Sequence, residues 1–256
     1  MDVQLARRLI ACNSAFYRDH AASFSATRSA PWDGWQRVAE IVQDTFACAE
    51  QRTVLDVACG NLRFPRFLFS RTPQQAWRCV AVDNAPQLAA NLPGDGSVHF
   101  VERDILGGLL DGTDPLGDIP TCDLVVSFGF MHHVPGGSLR RALLDSLAAR
   151  VSPSGLLVLS FWQFMDDARL SAKARVADEG ARRAGWPTDE LEAGDHFLGW
   201  QDDAQARRYC HHFDETEIDA LADHVAKHGM RECARFSADG RTHVLNRYLV
   251  CRKEGS

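Results

Sequence analysis

Short apolar runs that alternate with segments of helical spacing constrain the fold of this chain more than any other feature. Five such runs fall at residues 53–58, 78–83, 97–102, 122–128 and 154–162. Strands that are apolar throughout, rather than at every second residue, are typical of a parallel sheet covered by helices on both faces. Two later runs, 230–236 and 244–253, predict an antiparallel hairpin at the edge of that sheet. The sequence therefore predicts an α/β fold with a mostly parallel sheet.

Segments before and within the predicted sheet add two helical regions. Residues 3–22 and 34–48 have helical spacing, and the apolar residues of the second segment share one face. Residues between the fifth strand and the late hairpin are charged and rich in alanine, which predicts a helical cap inserted into the core. The expected boundaries are 1–50 for a helical arm, 51–162 for the core, 163–208 for the cap and 209–256 for the end of the core.

Composition limits the classes of protein to which the chain can belong. Its 8 cysteines form no C-x-x-C pair, so neither a disulfide framework nor a structural zinc site is expected. The net charge of −6 lacks the basic excess that is usual in nucleic-acid-binding proteins. No apolar run is long enough to cross a bilayer, and the first residues lack the pattern of a secretory signal. We expect a cytoplasmic protein without a membrane partner.

Neighbouring Cys210, His211 and His212 raise the question of a metal site. Adjacent residues on a strand or helix point in different directions, which is poor geometry for coordinating one ion. No metal is therefore expected there.

Polar and small residues follow the ends of the predicted strands. A ligand of an open parallel sheet lies in the crevice beyond the carboxyl ends of the strands. Gly60 leaves room for a ligand beside the backbone, Asp83 can accept both hydroxyls of a ribose, and Asp104 can accept from an exocyclic amine. Any one of these carboxylates could instead be solvated or cap a helix, but their order along successive strands favours binding. The candidate cofactor-binding residues are Asp56, Ala58, Gly60, Asn61, Asp83, Asn84, Asp104, Ile105, Ser127 and Phe128.

The turn after the first strand reads A-C-G-N-L-R and lacks two glycines of the dinucleotide-binding pattern G-x-G-x-x-G. S-adenosylmethionine has no phosphate to cradle, so a turn with few glycines suits it better. Residues 50–162 resemble the class I S-adenosylmethionine-dependent methyltransferases in the order of these motifs. The resemblance implies S-adenosylmethionine as cofactor and a Rossmann-like, seven-stranded sheet whose last strand is antiparallel. That family usually has glycine where this chain has Ala58 and Leu62.

Three longer stretches resemble the tRNA wobble-uridine carboxymethyl methyltransferases and their bacterial relatives. They are FYRDHAASFSATRSAPW, MHHVPGGSLRRALLDSLAARVSPSGLLVLSFWQF and RYCHHFDETEIDAL, so the resemblance extends from about residue 13 to the C-terminus. It implies methylation of a carboxylate, either on a modified tRNA uridine or on an anionic small molecule. Eukaryotic members of that family work with a small activator protein, which makes an activator a candidate partner here.

Candidate catalytic and substrate-binding residues come from the arm, the loop after the fourth strand and the segment that follows the cap. The forked cation of Arg28 suits a carboxylate, and Trp32 belongs to an arm expected to fold across the cofactor site, unless its aromatic rings only fasten the arm. His132 or His133 could act as a general base, which a hydroxyl or amine nucleophile would need and a carboxylate would not. The catalytic candidates are Arg28, His132 and His133, and the substrate-binding candidates are Trp32, Arg140, Tyr209 and His211.

Two other functions are compatible with the same residues. The chain could be a small-molecule O- or N-methyltransferase of metabolism that uses the cap as a lid. It could also be a regulatory subunit that binds S-adenosylmethionine without catalysis, an idea that the absent glycines suggest.

Overall fold

The computed structural model describes residues 1–26, 30–46, 51–89, 92–200 and 203–255. The helices are α1 (Val3–Ala26), α2 (Gly34–Thr45), α3 (Arg63–Arg71), α4 (Ile105–Leu110), α5 (Gly137–Ala149), α6 (Ala168–Arg183) and α7 (Glu215–Ala226). The strands are β1 (Gln51–Val57), β2 (Ala76–Asp83), β3 (Val98–Glu102), β4 (Cys122–Ser127), β5 (Val151–Trp162), β6 (Asp195–Trp200), β7 (Asp203–His211), β8 (Met230–Ala238) and β9 (Asn246–Lys253).

A seven-stranded sheet with the order β3-β2-β1-β4-β5-β9-β8 forms the centre of the fold. The strands from β3 to β5 pair in parallel, and β9 runs antiparallel to both β5 and β8. This confirms the predicted sheet with its reversed last strand. Strands β2 and β4 both pair in parallel with β1, so the carboxyl ends of all three strands meet at one edge of the sheet. This is the edge at which the sequence predicts that the strand-end residues gather.

The two faces of the sheet are buried in two separate apolar layers. Alternate residues of β1 point to opposite faces, so Val54 packs towards α2 and α3 while Leu55 packs towards α5 and α7. Both residues are fully buried. Helices therefore cover both faces, which is the reason that these strands are apolar throughout rather than alternating.

The segment between β5 and α7 is helical only in its first half. Helix α6 agrees with the predicted cap, but β6 and β7 pair as an antiparallel hairpin that the charged, alanine-rich composition did not indicate. Asp178 of α6 accepts a hydrogen bond from the Phe197 N–H at 2.6 Å, and this contact ties the helix to the hairpin. The cap is thus a helix packed on a two-stranded sheet. Of the helices in the described parts of the chain, none combines the length and the apolarity that crossing a membrane requires.

Asp239 fixes the start of α2 against the hairpin of β8 and β9. Its buried carboxylate accepts hydrogen bonds from the Gly34 N–H (3.0 Å), the Asn246 side-chain amide (2.8 Å) and the Tyr248 hydroxyl (2.6 Å). A buried carboxylate is tolerated because each of these donors compensates for lost hydration. The contact sets the position of the tryptophans on either side of Gly34.

Gly34 has no room for a side chain, since a Cβ there would overlap the fully buried ring of Tyr248. We expect Gly34→Ala to lower the free energy of unfolding by about 1–3 kcal/mol, measured by urea denaturation, because neither partner can move without disturbing the core. Gly94→Ala is the matched control, as a Cβ at this exposed glycine meets nothing within 4 Å. Equal losses in both variants would contradict the close packing at Gly34.

Candidate active site

A cavity of about 940 Å³ opens beyond the carboxyl ends of β1, β2 and β4 and extends under α1 and the cap hairpin. The sequence-predicted residues that line it are Trp32, Asp56, Ala58, Gly60, Asn61, Asp83, Asn84, Asp104, Ile105, Phe128, His132 and His133. Ser127 is buried and is not among the lining residues. Arg28 lies outside the described residues. Most of the residues predicted from their positions at strand ends therefore line one cavity.

The turn after β1 holds a left-handed backbone at Ala58, Gly60 and Leu62, with φ values of 61°, 52° and 62°. A Cβ at Gly60 would meet nothing within 4 Å, so this glycine faces open space in the cavity rather than packed protein. The Gly60 N–H donates to Asp83 Oδ2 at 2.8 Å, which joins the turn to the end of β2. The alanine and leucine stand where the family usually has glycine, and the backbone keeps the conformation that favours glycine.

Two buried carboxyl groups lie under this turn. Asp83 also accepts from the Ala85 N–H at 3.0 Å, and burial raises the pKa of its carboxyl. Burial raises the pKa of Asp56 to about 8, with a contribution from the negative charge of Asp83 and an opposing one from Arg63. Asp56 therefore holds a proton at neutral pH. Asp104 is different, because its side chain caps α4 by accepting from the Gly107 N–H at 3.0 Å while it lines the cavity.

An aromatic wall closes the side of the cavity next to the arm. Trp32 stacks on Trp35 with 5.4 Å between ring centroids and meets Phe128 edge to face at 6.5 Å. The Arg63 guanidinium lies 5.9 Å from the Trp32 ring centroid and donates to the Ala30 carbonyl at 2.7 Å. The segment after residue 29 is therefore fastened to the core, and Trp32 both fastens it and lines the cavity.

The far part of the cavity, which we call the cap end, combines residues of α1, of the loop after β4, of the end of β5 and of the cap. Its members are Asn13, Tyr17, His132, His133, Trp162, Trp200 and Arg208. The buried Arg208 guanidinium lies over the rings of Phe16 (5.3 Å), Trp162 (5.6 Å) and Trp200 (5.7 Å). The Tyr17 hydroxyl lies 2.7 Å from His133 Nε2.

Sequence reasoning did not select five members of the cap end as site residues: Asn13, Tyr17, Trp162, Trp200 and Arg208. Only Trp162 belongs to a predicted core strand, as its last residue, whereas α1 and the hairpin reach the cavity from distant parts of the chain. Residues 206–211 show no regular alternation of polar and apolar residues, so no pattern in the sequence separates Arg208 from its neighbours.

Arg140, Tyr209 and His211 do not line the cavity. Arg140 is buried, with ion pairs of 2.9 Å to both Glu192 and Glu217. His211 lies 2.6 Å from Asp195 and from Glu217, and the Tyr209 hydroxyl donates to Asp195 at 2.6 Å. These contacts form an internal network between α5, α7 and the hairpin, because buried charges need charged or hydrogen-bonding partners.

Two groups of side chains in the described ranges have donor atoms close enough to share a metal ion. In the group His132, His133 and Cys210, burial raises the pKa of the Cys210 thiol to about 12, and both ring nitrogens of His133 already lie at hydrogen-bond distance from Asn13 and Tyr17. In the group Asp145, His224 and His228, both imidazoles lie at hydrogen-bond distance from one Asp145 oxygen, at 2.6 and 2.7 Å. Hydrogen bonding accounts for the second cluster without an ion.

Comparison with known proteins identifies the family. Residues 29–225 match the model of the family described as a methyltransferase domain. A search of curated proteins finds no significant match. Solved structures with the same fold include an S-adenosylmethionine-dependent methyltransferase from Methanosarcina mazei, with a TM-score of 0.61 and 18% identity over 84% of this chain and 98% of that one.

Two further similar structures contain the cofactor or its product. The 1,6-didemethyltoxoflavin-N1-methyltransferase of Burkholderia thailandensis, with its substrate and S-adenosylhomocysteine bound, has a TM-score of 0.56 and 16% identity over 94% of this chain and 88% of that one. An amino pentose methyltransferase from Micromonospora echinaspora with bound S-adenosylmethionine has a TM-score of 0.55 and 18% identity over 91% of this chain and 96% of that one. With a family model that spans most of its length, the chain belongs to the methyltransferase domain family, as an S-adenosylmethionine-dependent methyltransferase.

Proposed function

We propose that the protein transfers the methyl group of S-adenosylmethionine to an anionic oxygen, such as a carboxylate, of a small molecule held at the cap end. The observation that carries this proposal is the buried Arg208 cation, which lies among three aromatic rings and lines the cavity. A guanidinium beside apolar rings binds a planar anion strongly, because little water competes for it.

The part of the cavity beyond the carboxyl ends of β1 and β2, which we call the strand end, fits the cofactor. Gly60 leaves its backbone open to a ligand, and the Asp83 carboxylate keeps acceptor capacity beyond its two backbone hydrogen bonds. We assign to Asp83 the ribose hydroxyls, and to Asp104 and Ile105 the edge and face of the adenine. Known ligand sites reach about 300–1,000 Å³, so a cavity of about 940 Å³ has room for the cofactor and a small acceptor.

The chemistry needs alignment more than proton transfer. S-adenosylmethionine supplies a methyl group on a positively charged sulfur. The residues of the cap end would hold the acceptor oxygen in line with that group, and the rings of Trp162 and Trp200 would exclude water from it. A carboxylate is already ionised at neutral pH, so no side chain has to remove a proton first.

Two observations favour a small molecule over tRNA. The cap end lies under α1 and the cap hairpin, and the chain carries a net charge of −6 rather than a basic excess. Two of the structurally similar methyltransferases act on small molecules, namely 1,6-didemethyltoxoflavin and an amino pentose. Methylation of a wobble-uridine carboxylate remains the second candidate because of the arm that resembles that family.

A methyl-transfer assay tests the proposal by measuring S-adenosylhomocysteine formation with panels of carboxylic acids, phenols and amines and with bulk tRNA. We expect turnover with carboxylic acids and products whose methyl ester is cleaved by mild alkali. Arg208→Gln should lower kcat/KM by about 10- to 100-fold, the effect of losing one charged hydrogen bond, whereas Arg207→Gln should not. Turnover with tRNA alone, weakening steeply with salt, would favour the second candidate. Tight binding of S-adenosylhomocysteine without turnover on any acceptor would favour a regulatory subunit.

Asp83→Asn should weaken S-adenosylhomocysteine binding by about 10- to 100-fold in calorimetric titration. The carboxylate accepts from the Gly60 N–H with one oxygen and from the Ala85 N–H with the other, so the amide would turn its NH2 group towards one of these donors and disturb the site. Glu102→Gln is the matched control, because Glu102 pairs with Asp83 in the sheet register but does not line the cavity. Unchanged affinity in Asp83→Asn would remove Asp83 from the cofactor site.

Asp56 should make the unliganded protein less stable as the pH rises. Its pKa is about 8 in the folded protein against an ordinary value of 3.8, so between these values the folded state binds more protons than the unfolded chain. The free energy of unfolding then falls with pH, by at most about 1.4 kcal/mol per pH unit. We expect Asp56→Asn to flatten this slope in urea denaturation and to be more stable than the wild type near pH 8. A slope identical to the wild type would show that Asp56 does not cause it.

A further inference from the structure

We propose that Asn13 holds His133 as a neutral imidazole that donates from Nε2 to Tyr17, so that His133 positions Tyr17 and does not act as a base. This inference rests on the proposed function, since it explains how the cap end would receive an acceptor that is already ionised.

The orientation of the Asn13 amide follows from the backbone of Tyr209. The Tyr209 N–H is an unambiguous donor and lies 2.7 Å from Asn13 Oδ1, so that atom is the oxygen. The other atom, Nδ2, is then the amide nitrogen, and one of its hydrogens reaches the Tyr209 carbonyl at 3.1 Å. Asn13 is thereby locked by two hydrogen bonds to one residue of β7, and it cannot flip without losing both.

The second hydrogen of Asn13 Nδ2 determines the tautomer of His133. Nδ2 lies 3.1 Å from His133 Nδ1, and this contact is a hydrogen bond only if Nδ1 carries a lone pair. The competing arrangement, with Nδ1–H donating to the Tyr209 carbonyl, has the longer distance of 3.3 Å and leaves two N–H groups facing each other. The proton of the neutral ring therefore lies on Nε2.

The Tyr17 hydroxyl oxygen accepts a hydrogen bond from that Nε2–H group. His133 Nε2 lies 2.7 Å from the Tyr17 hydroxyl oxygen, and both side chains line the cavity. A hydroxyl has one hydrogen, so a Tyr17 oxygen that accepts from His133 offers its own hydrogen to an acceptor other than His133. An anionic oxygen of the substrate is such an acceptor.

The same geometry makes His133 a poor general base. Taking up a proton would place it on Nδ1, against the Asn13 N–H that is held in place by Tyr209. Protonation would then replace a hydrogen bond by a contact between two donors. A hydroxyl or ammonium acceptor would lack its base, whereas a carboxylate needs none.

Nitrogen-15 NMR of the histidine-labelled protein tests the proposal, because the two ring nitrogens report directly which of them is protonated. The full chain is measured at neutral pH with S-adenosylhomocysteine, and the His133 signals are assigned by their loss in His133→Gln. We expect a deprotonated Nδ1 and a protonated Nε2. A protonated Nδ1 in the wild type, in either the neutral or the cationic ring, would overturn the proposal.

Two variants separate the role of Asn13 from a merely structural one. Asn13→Asp keeps an acceptor for the Tyr209 N–H but presents a second oxygen to His133, so we expect Nδ1 to become protonated while the His132 signals stay in place. Tyr17→Phe should leave the Nε2–H tautomer unchanged, because Asn13 sets it. Loss of that tautomer in Tyr17→Phe would show that Tyr17 sets it and would overturn the assignment.

Calorimetric titration of S-adenosylhomocysteine on the same samples tests the proposed function separately. Failure to bind would contradict the proposed function but would leave the tautomer assignment in place.

Discussion

The hydrogen bond from the Gly60 N–H to the buried Asp83 carboxylate is the contact on which the strand end of the cavity depends. It fixes the turn after β1 over the end of β2 and keeps the turn's backbone open to the cavity. A buried carboxylate is costly, and the raised pKa of Asp83 reflects that cost. The backbone donors of Gly60 and Ala85 offset part of it and hold the Asp83 carboxylate at the edge of the cavity.

The cap end depends on a different kind of contact, between segments far apart in the chain. Asn13 of α1 binds both backbone groups of Tyr209 in β7, although 196 residues separate them. That docking brings Tyr17 of α1 and Arg208 of β7 to the same cavity. The strand end is thus made by neighbouring parallel strands, whereas the cap end exists only after α1 and the hairpin have folded onto the core.

This difference explains what the sequence could predict. The parallel sheet, the late hairpin and the gathering of Gly60 and Asp83 follow from apolar runs and from the residues after them, which are local patterns, whereas the reversed last strand was implied by the family resemblance. The cap hairpin carries no such pattern, and within β7 the choice of residue depends on which face of the strand meets the cavity. Tyr209 and His211 share the face that turns away, and Arg208 lies on the other one, so a prediction one residue off selects the wrong side chains.

The missing glycines of the first motif change the sequence of the turn more than its conformation. Ala58 and Leu62 both keep positive φ, at about 1–2 kcal/mol for each residue that is not glycine. Leu62 is also 1% exposed and packs in the apolar layer with α2 and α3, and burying a leucine contributes about 1.5–3 kcal/mol. The packing offsets the strain at that position, which accounts for a leucine where glycine is usual. The absence of glycine at positions 58 and 62 is therefore weak evidence against cofactor binding. It no longer supports the idea of a regulatory subunit without catalysis.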